Sequence, residues 1–285
     1  MKFTERPVVF RCNDDHLLGI VAVPEQSFAR GVLIVVGGPQ YRAGSHRQFT
    51  LLARALAQVG IPVMRFDYRG TGDSEGTDTR FDATADDIRA AIDRFIATMP
   101  SLTEIVLWGL CDAASAAMLY AADDSRIKGI ALLNPWVRTE QGIAQTYLKH
   151  YYRQRVFEPG LWKKILSGKF DVLGALRSLL SLLSQARRTQ EPPAPIENDV
   201  AVPSLPQRLL DAMRHFHGKV LLITSGNDLT AREFDDMVAA SQEWQALLAQ
   251  AQVTRHLLPD ANHTFASAAW RDQVANWTRL WVRSW

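Results

Sequence analysis

EIVLWGLCDAASAAMLYAA, residues Glu104–Ala122, passes from a short apolar run through Gly-x-Cys-x-Ala into an alanine-rich segment. That order predicts a buried strand, a sharp turn at Cys111 and a helix that starts at once. Such a turn strains the backbone of its central residue and lifts that side chain above the sheet. Gly109 and Ala113, two residues to either side, are small enough to keep the turn clear of neighbouring backbone. Ala113 stands where a second glycine is usual and asks for slightly more room. The helix N-terminus directs amides at the Cys111 sulfur, which favours thiolate. A carboxylate at Asp112 opposes that effect if it turns inward. The bland alternative is that Cys111 is a small buried residue, the commonest setting for a free cysteine.

Outward from this turn, the chain alternates strands and helices. "VVFRC" and "LLGIVAVP" flank Asn13, Asp14 and Asp15 as an antiparallel pair. "GVLIVV", "IPVMRF", "EIVLWG", "IKGIALLNP", "KVLLITSG" and "VTRHLLP" read as buried strands. Helical spacing marks "FTLLARALAQVG", closed by Gly60, and "DATADDIRAAIDRFIATM", with Ile88, Ala91, Ile92 and Phe95 on one face. A single helical stretch is expected from Ala231 to about Ala251, and a last helix ends in "WTRLWVRSW". The alternation breaks over residues 136–217, which read as a helical insertion with a Pro-rich loop. These patterns predict an α/β fold, a mostly parallel eight-stranded sheet with helices on both faces. The core domain spans residues 1–135 and 218–285, and 136–217 forms a helical cap.

Composition limits the function classes. The chain has 285 residues, 47% hydrophobic and 22% charged, enough for one sizeable core. Thirty-two basic against 30 acidic residues leave a net charge of +2, which gives no electrostatic footprint for nucleic acid. Two cysteines, Cys12 and Cys111, make no disulfide framework and no metal spacing. No apolar run approaches a membrane span, and MKFTERPVVF has no leader-like pattern. The expectation is a reduced, cytoplasmic protein with no metal and no cofactor.

A nucleophile at Cys111 needs a base, and the base needs an orienting carboxylate. Asp228 follows "KVLLITSG", and His263 follows "VTRHLLP" in "DANHTF". Both fall at the ends of later strands, in the order nucleophile, acid, base, where open α/β sheets place their sites. Each also has an ordinary reading: Asp228 as the cap of the following helix, His263 as a solvated loop residue. His46 is the rival base.

On "VLIVVGGPQYRAGSHRQF", "MRFDYRGTGDSEG", "VLWGLCDAASA", "LLITSGNDLT" and "LPDANHTF", nearly the whole chain resembles the α/β-hydrolase superfamily. "GGPQYRAGSHRQF" and "GLCDAASAA" resemble, more narrowly, the exosortase A system-associated hydrolase 1 group of bacterial exopolysaccharide loci. The resemblance implies Cys111 as nucleophile, Asp228 as acid and His263 as base. It also implies a small-molecule or carrier-bound acyl substrate, with an acyl carrier protein as partner.

The oxyanion hole departs from the usual pattern. The segment reads Gly37-Gly38-Pro39-Gln40, and proline has no N–H to give. Gly38 or Gln40 would then supply one donor, and the backbone N–H of Asp112 the other. Asp67 and Arg69 in "DYRGTGDSEG" read as braces of a tight loop. Tyr41 and Arg42, with His46 and Arg47, are candidates to meet an anionic group at the pocket mouth, or else form a solvated basic face.

A thiolate is a good nucleophile and a good leaving group, so it is expelled from an amide adduct before the amine. The expected chemistry is therefore acyl-enzyme formation on Cys111 from a thioester or activated ester, followed by hydrolysis or transfer. Dehalogenase and epoxide-hydrolase chemistry would need a carboxylate at the turn. The competing reading is a catalytically weak homologue that binds an acyl carrier or partner.

Overall fold

A computed structural model describes residues 1–38, 40–77, 80–137 and 203–285. Met1–Val137 and Gln207–Trp285 form one compact unit. Of the expected insertion over 136–217, residues 138–202 lie outside the described residues.

Eight strands form one sheet in the order β1-β2-β4-β3-β5-β6-β7-β8. They are β1 (Phe3–Cys12), β2 (Asp15–Pro24), β3 (Arg30–Val35), β4 (Val63–Phe66), β5 (Glu104–Leu110), β6 (Ile127–Leu133), β7 (Lys219–Ser225) and β8 (Val253–Leu258). The β1–β2 and β2–β4 pairings are antiparallel, and every other pairing is parallel. Strands β1 and β2 pair from Phe3↔Pro24 to Cys12↔Asp15. Their two-residue turn is permitted by Asn13 at φ 54°, a left-handed conformation that asparagine tolerates. The central strands read as unbroken apolar runs because helices cover both of their faces, and β3 to β7 are buried along nearly their whole length.

Helices α1 (Gln48–Ala57), α2 (Ala85–Thr98), α3 (Asp112–Ala121), α4 (Leu205–His215), α5 (Leu229–Ala239), α6 (Gln242–Leu248) and α7 (Ala268–Val282) are described. Ile88, Ala91, Ile92 and Phe95 of α2 are all buried, as their helical spacing requires. Helices α1 and α7 meet over β5, where the Phe49 ring packs edge-on against Trp108 and the Trp108 indole donates to Thr278 Oγ1. The single helix expected from Ala231 to Ala251 is instead two. Helix α5 ends at Ala239, and Ser241 caps α6 by accepting from the Trp244 N–H, so the chain restarts a helix one residue later.

After β3 the chain steps outward to β4, then crosses back over β3 to β5 and continues the other way. The crevice beyond the C-terminal ends of β3 and β5 is thus the topological switch point, where parallel sheets of this kind hold their ligands. The loop after β4 borders it and is braced by two buried carboxylates. Asp67 accepts from the Arg42 and Asp73 amides and pairs with the Arg42 guanidinium. Asp87, fully buried, accepts from the Arg69 amide at 2.9 Å and from its guanidinium at 2.8 Å. The Asp67 and Arg69 readings from sequence thus coincide with the observed contacts. Removing one partner of a buried pair strands the other, at about 3–5 kcal/mol. Asp87→Ala is therefore expected to lower unfolding free energy by about 3 kcal/mol in urea denaturation.

Candidate active site

Cys111 occupies the turn between β5 and α3 at φ 64°, ψ −126°, far from any conformation an ordinary L-residue prefers. Flanking contacts hold it there. Its amide donates to the Leu133 carbonyl at 2.8 Å, and its carbonyl accepts from Ala114 and Trp136. Gly109 has no alternative, since a Cβ there would collide with the backbone of Ala113. Room for the Ala113 methyl comes from Gly37, whose own Cβ would stand 2.9 Å from it. The glycine absent from position 113 is thus compensated across the crevice, at the end of β3.

Asp228 lies at the start of α5 and caps it, accepting from the Thr230 amide on Oδ1 and the Ala231 amide on Oδ2. The same Oδ2 accepts from His263 Nδ1 at 2.8 Å. The two sequence readings of Asp228, cap and histidine partner, therefore describe one carboxylate fixed by three hydrogen bonds. The imidazole is pushed up from 6.5 to about 10, first by its bond to Asp228, then by the neighbouring Cys111, against the opposing effect of burial. The shift favours the protonated ring. His263, and not His46, is the histidine that meets Asp228.

One residue of this site carried no functional reading in the sequence. Asn134, fully buried just past β6 at φ 43°, donates from Nδ2 to Ser225 Oγ and to the His263 carbonyl. Its Oδ1 accepts from the Ser225 amide. One side chain thus ties the ends of β6 and β7 to the loop that carries His263. The available signal was Asn134-Pro135 directly after an apolar run, a turn dipeptide that says nothing about long-range contacts.

The remaining candidates divide. The Gly38 N–H, with φ 56° at that residue, donates to Asp112 Oδ2 at 2.8 Å, and the Ala113 N–H donates to Oδ1 at 2.9 Å. The Asp112 carboxylate has turned inward, and burial holds its carboxyl above the usual carboxylate range. Gln40 directs its side-chain carbonyl to the Ser45 amide, and Pro39 lies outside the described residues. Arg42 is engaged by Asp67 and Asp73 and is mostly buried, so its charge already has two partners. Tyr41 is half-exposed, with the Arg42 guanidinium 5.8 Å from its ring centroid. Among the described residues no group of three His, Cys, Asp or Glu is arranged to hold a metal, and no helix is long and apolar enough to cross a membrane.

The raised imidazole has a consequence for stability. Between pH 6.5 and about 10 the folded state holds a proton that the unfolded state has lost. The stabilisation is complete below pH 6.5 and disappears as pH rises toward 10. In Asp228→Asn, the largest cause of the shift is gone. The difference in unfolding free energy between wild type and Asp228→Asn should therefore shrink across that window, as read by denaturant titrations at successive pH values.

The architecture recurs in solved structures of low sequence identity. An esterase of Pyrococcus furiosus superposes with a TM-score of 0.67 at 15% identity, covering 99% of this chain and 92% of that one. Est1E from Butyrivibrio proteoclasticus, solved with ferulic acid bound, gives 0.61 at 17% identity, over 96% and 97% of the two chains. A dienelactone hydrolase from Anabaena variabilis gives 0.58 at 15%, over 99% and 97%. At these identities the likeness is one of fold. No curated protein matches the sequence. The model of the alpha/beta hydrolase family matches residues 32–277, most of the length, and the chain belongs to that family.

Proposed function

We propose that this α/β-hydrolase is an acyl hydrolase or acyltransferase that works through a thiolate at Cys111. The observation that carries the reading is one arrangement: Cys111 on a strained turn, near enough to His263 to perturb its ring, whose Nδ1 is held by Asp228. In this reading the Cys111 sulfur reacts as thiolate beside the His263 ring. The Cys111 sulfur attacks the acyl carbon, its π pair moves onto oxygen, and collapse expels the leaving group, which takes the His263 proton as it departs. The imidazole, now neutral, removes a proton from water or from an acceptor hydroxyl or thiol, which attacks the acyl-enzyme and regenerates Cys111. Asp228 fixes the ring orientation throughout. No cofactor enters.

Leaving-group chemistry sets the substrate class. An adduct on an amide returns to starting material because sulfur leaves before nitrogen, whereas a thioester or activated ester carries a leaving group comparable to Cys111 itself. The resemblance to the exosortase-associated group extends this to an acyl group carried on a small molecule or an acyl carrier protein, in cytoplasmic exopolysaccharide assembly. The Arg42 charge is already engaged by Asp67 and Asp73, which argues against it as a substrate contact, while the half-exposed Tyr41 is kept as a candidate.

A second reading has one specific observation in its favour. The Gly38 N–H, the donor that would stabilise an oxyanion, is taken by the Asp112 carboxylate. On that reading the fold binds acyl partners and turns them over weakly.

Alkylation separates an activated thiol from an inert one. Cys111 should react with iodoacetamide at pH 7 at least ten-fold faster than the buried Cys12, and His263→Ala should remove most of that difference. Equal rates at the two cysteines in the folded protein would make Cys111 an ordinary thiol.

A further inference from the structure

The Asp112 carboxylate is placed where a substrate's oxygen belongs. Two backbone N–H groups converge on it, those of Gly38 and Ala113. The Gly38 N–H at the end of β3 is one of the pair that an oxyanion hole would use, the other being the N–H of Asp112, directly after the nucleophile. A carboxylate oxygen has the charge and the acceptor geometry of a tetrahedral-intermediate oxyanion, so the side chain satisfies the hole from within. The surroundings are shaped to receive it. A Cβ on Gly37 would collide with Asp112 Oδ1, so the first glycine of Gly37-Gly38 clears the space that the carboxylate fills.

From this geometry we infer that Asp112 is a positioning residue that plugs the oxyanion hole in the resting enzyme, and that acylation of Cys111 requires its carboxylate to leave the Gly38 N–H. The inference rests on Cys111 being the nucleophile. Room for the movement lies alongside. A cavity of about 360 Å³ is walled by Gly37, Gly38, Tyr68, Arg80, Phe81 and Asp112 itself. The Arg80 guanidinium is largely exposed and, among the described residues, pairs with Asp82 at 3.2 Å, so a cation is available to a carboxylate that swings into that space. Burial penalises the plugged carboxylate, and the nearby His263 offsets part of that penalty. When an acyl oxygen enters, the sulfur–carbon bond forms, the carbonyl π pair moves to oxygen, and that oxygen takes the Gly38 N–H from the departing carboxylate while accepting from the Asp112 N–H as well. Collapse then expels the leaving group with its bonding pair.

This arrangement makes two reactions of one thiol respond differently to one substitution. Alkylation by iodoacetamide displaces iodide and generates no oxyanion, so it reports the thiolate alone. Acylation by p-nitrophenyl acetate, followed as the burst of p-nitrophenolate, needs the hole. Loss of a single oxyanion donor costs roughly 100- to 1000-fold in other acyl-transfer enzymes. Asp112→Ala uncovers the Gly38 N–H and is expected to raise the ratio of acylation to alkylation rate at Cys111 by at least ten-fold. Asp112→Asn keeps the shape and removes the charge, and is expected to raise the ratio by a smaller factor. Either variant serves if the other fails to fold, as judged by circular dichroism. An unchanged or lowered ratio, with alkylation intact, overturns the plug and leaves the nucleophile standing. Alkylation at Cys111 without any burst in wild type or either variant overturns the nucleophile reading itself, and the plug with it.

Discussion

The left-handed backbone of Cys111 is the constraint around which the rest of the site is arranged. A non-glycine residue at φ 64° is held only where its neighbours over-determine it, and here they come from three directions. Leu133 and Trp136 bind its peptide from the β6 side. Gly109 lets helix α3 begin against the strand, and Gly37 makes space from β3 for both Ala113 and Asp112. Ser115, fully buried on α3, donates to the Trp136 carbonyl at 2.5 Å and fastens the same segment a second time. Strain at one residue is thus distributed over three strand ends.

The catalytic-looking groups inherit their positions from ordinary structural work. Asp228 is held because it caps α5, and His263 is held because Asn134 grips its carbonyl while Asp228 grips its ring. Charge is distributed unevenly across the crevice. The His263 ring, its protonated form favoured, faces Cys111 from the β8 side, and a carboxylate approaches from the side of β3. The two have opposite consequences for an incoming acyl group, one favouring the thiolate and the other occupying the Gly38 N–H.

Most of the fold was legible in the sequence because its signals are local. Buried parallel strands appear as unbroken apolar runs, α2 shows its buried face at helical spacing, and Asn13 marks a turn only a few residue types accept. The break between α5 and α6 was missed because apolar spacing continues across it, and only the Ser241 cap, a one-residue signal, announces it. Chain order on strand ends pointed to Asp228 and His263, whose side chains the structure brings together. Asn134 was not, since its contacts span 91 and 129 residues of sequence. The inward turn of Asp112 was stated in the sequence only as a conditional. Its direction depends on Gly37 and Gly38, which lie 74 residues from it at the Gly38 contact.

The central claim is that acyl groups pass through the Cys111 sulfur. The most direct measurement is peptide mapping by mass spectrometry after brief exposure of the protein to a panel of acyl thioesters, quenched in acid. The account predicts an added acyl mass on the peptide containing Cys111, absent in Cys111→Ala and strongly reduced in His263→Ala. An acyl mass carried by another residue, or turnover of the same thioesters by Cys111→Ala at the wild-type rate, would contradict it.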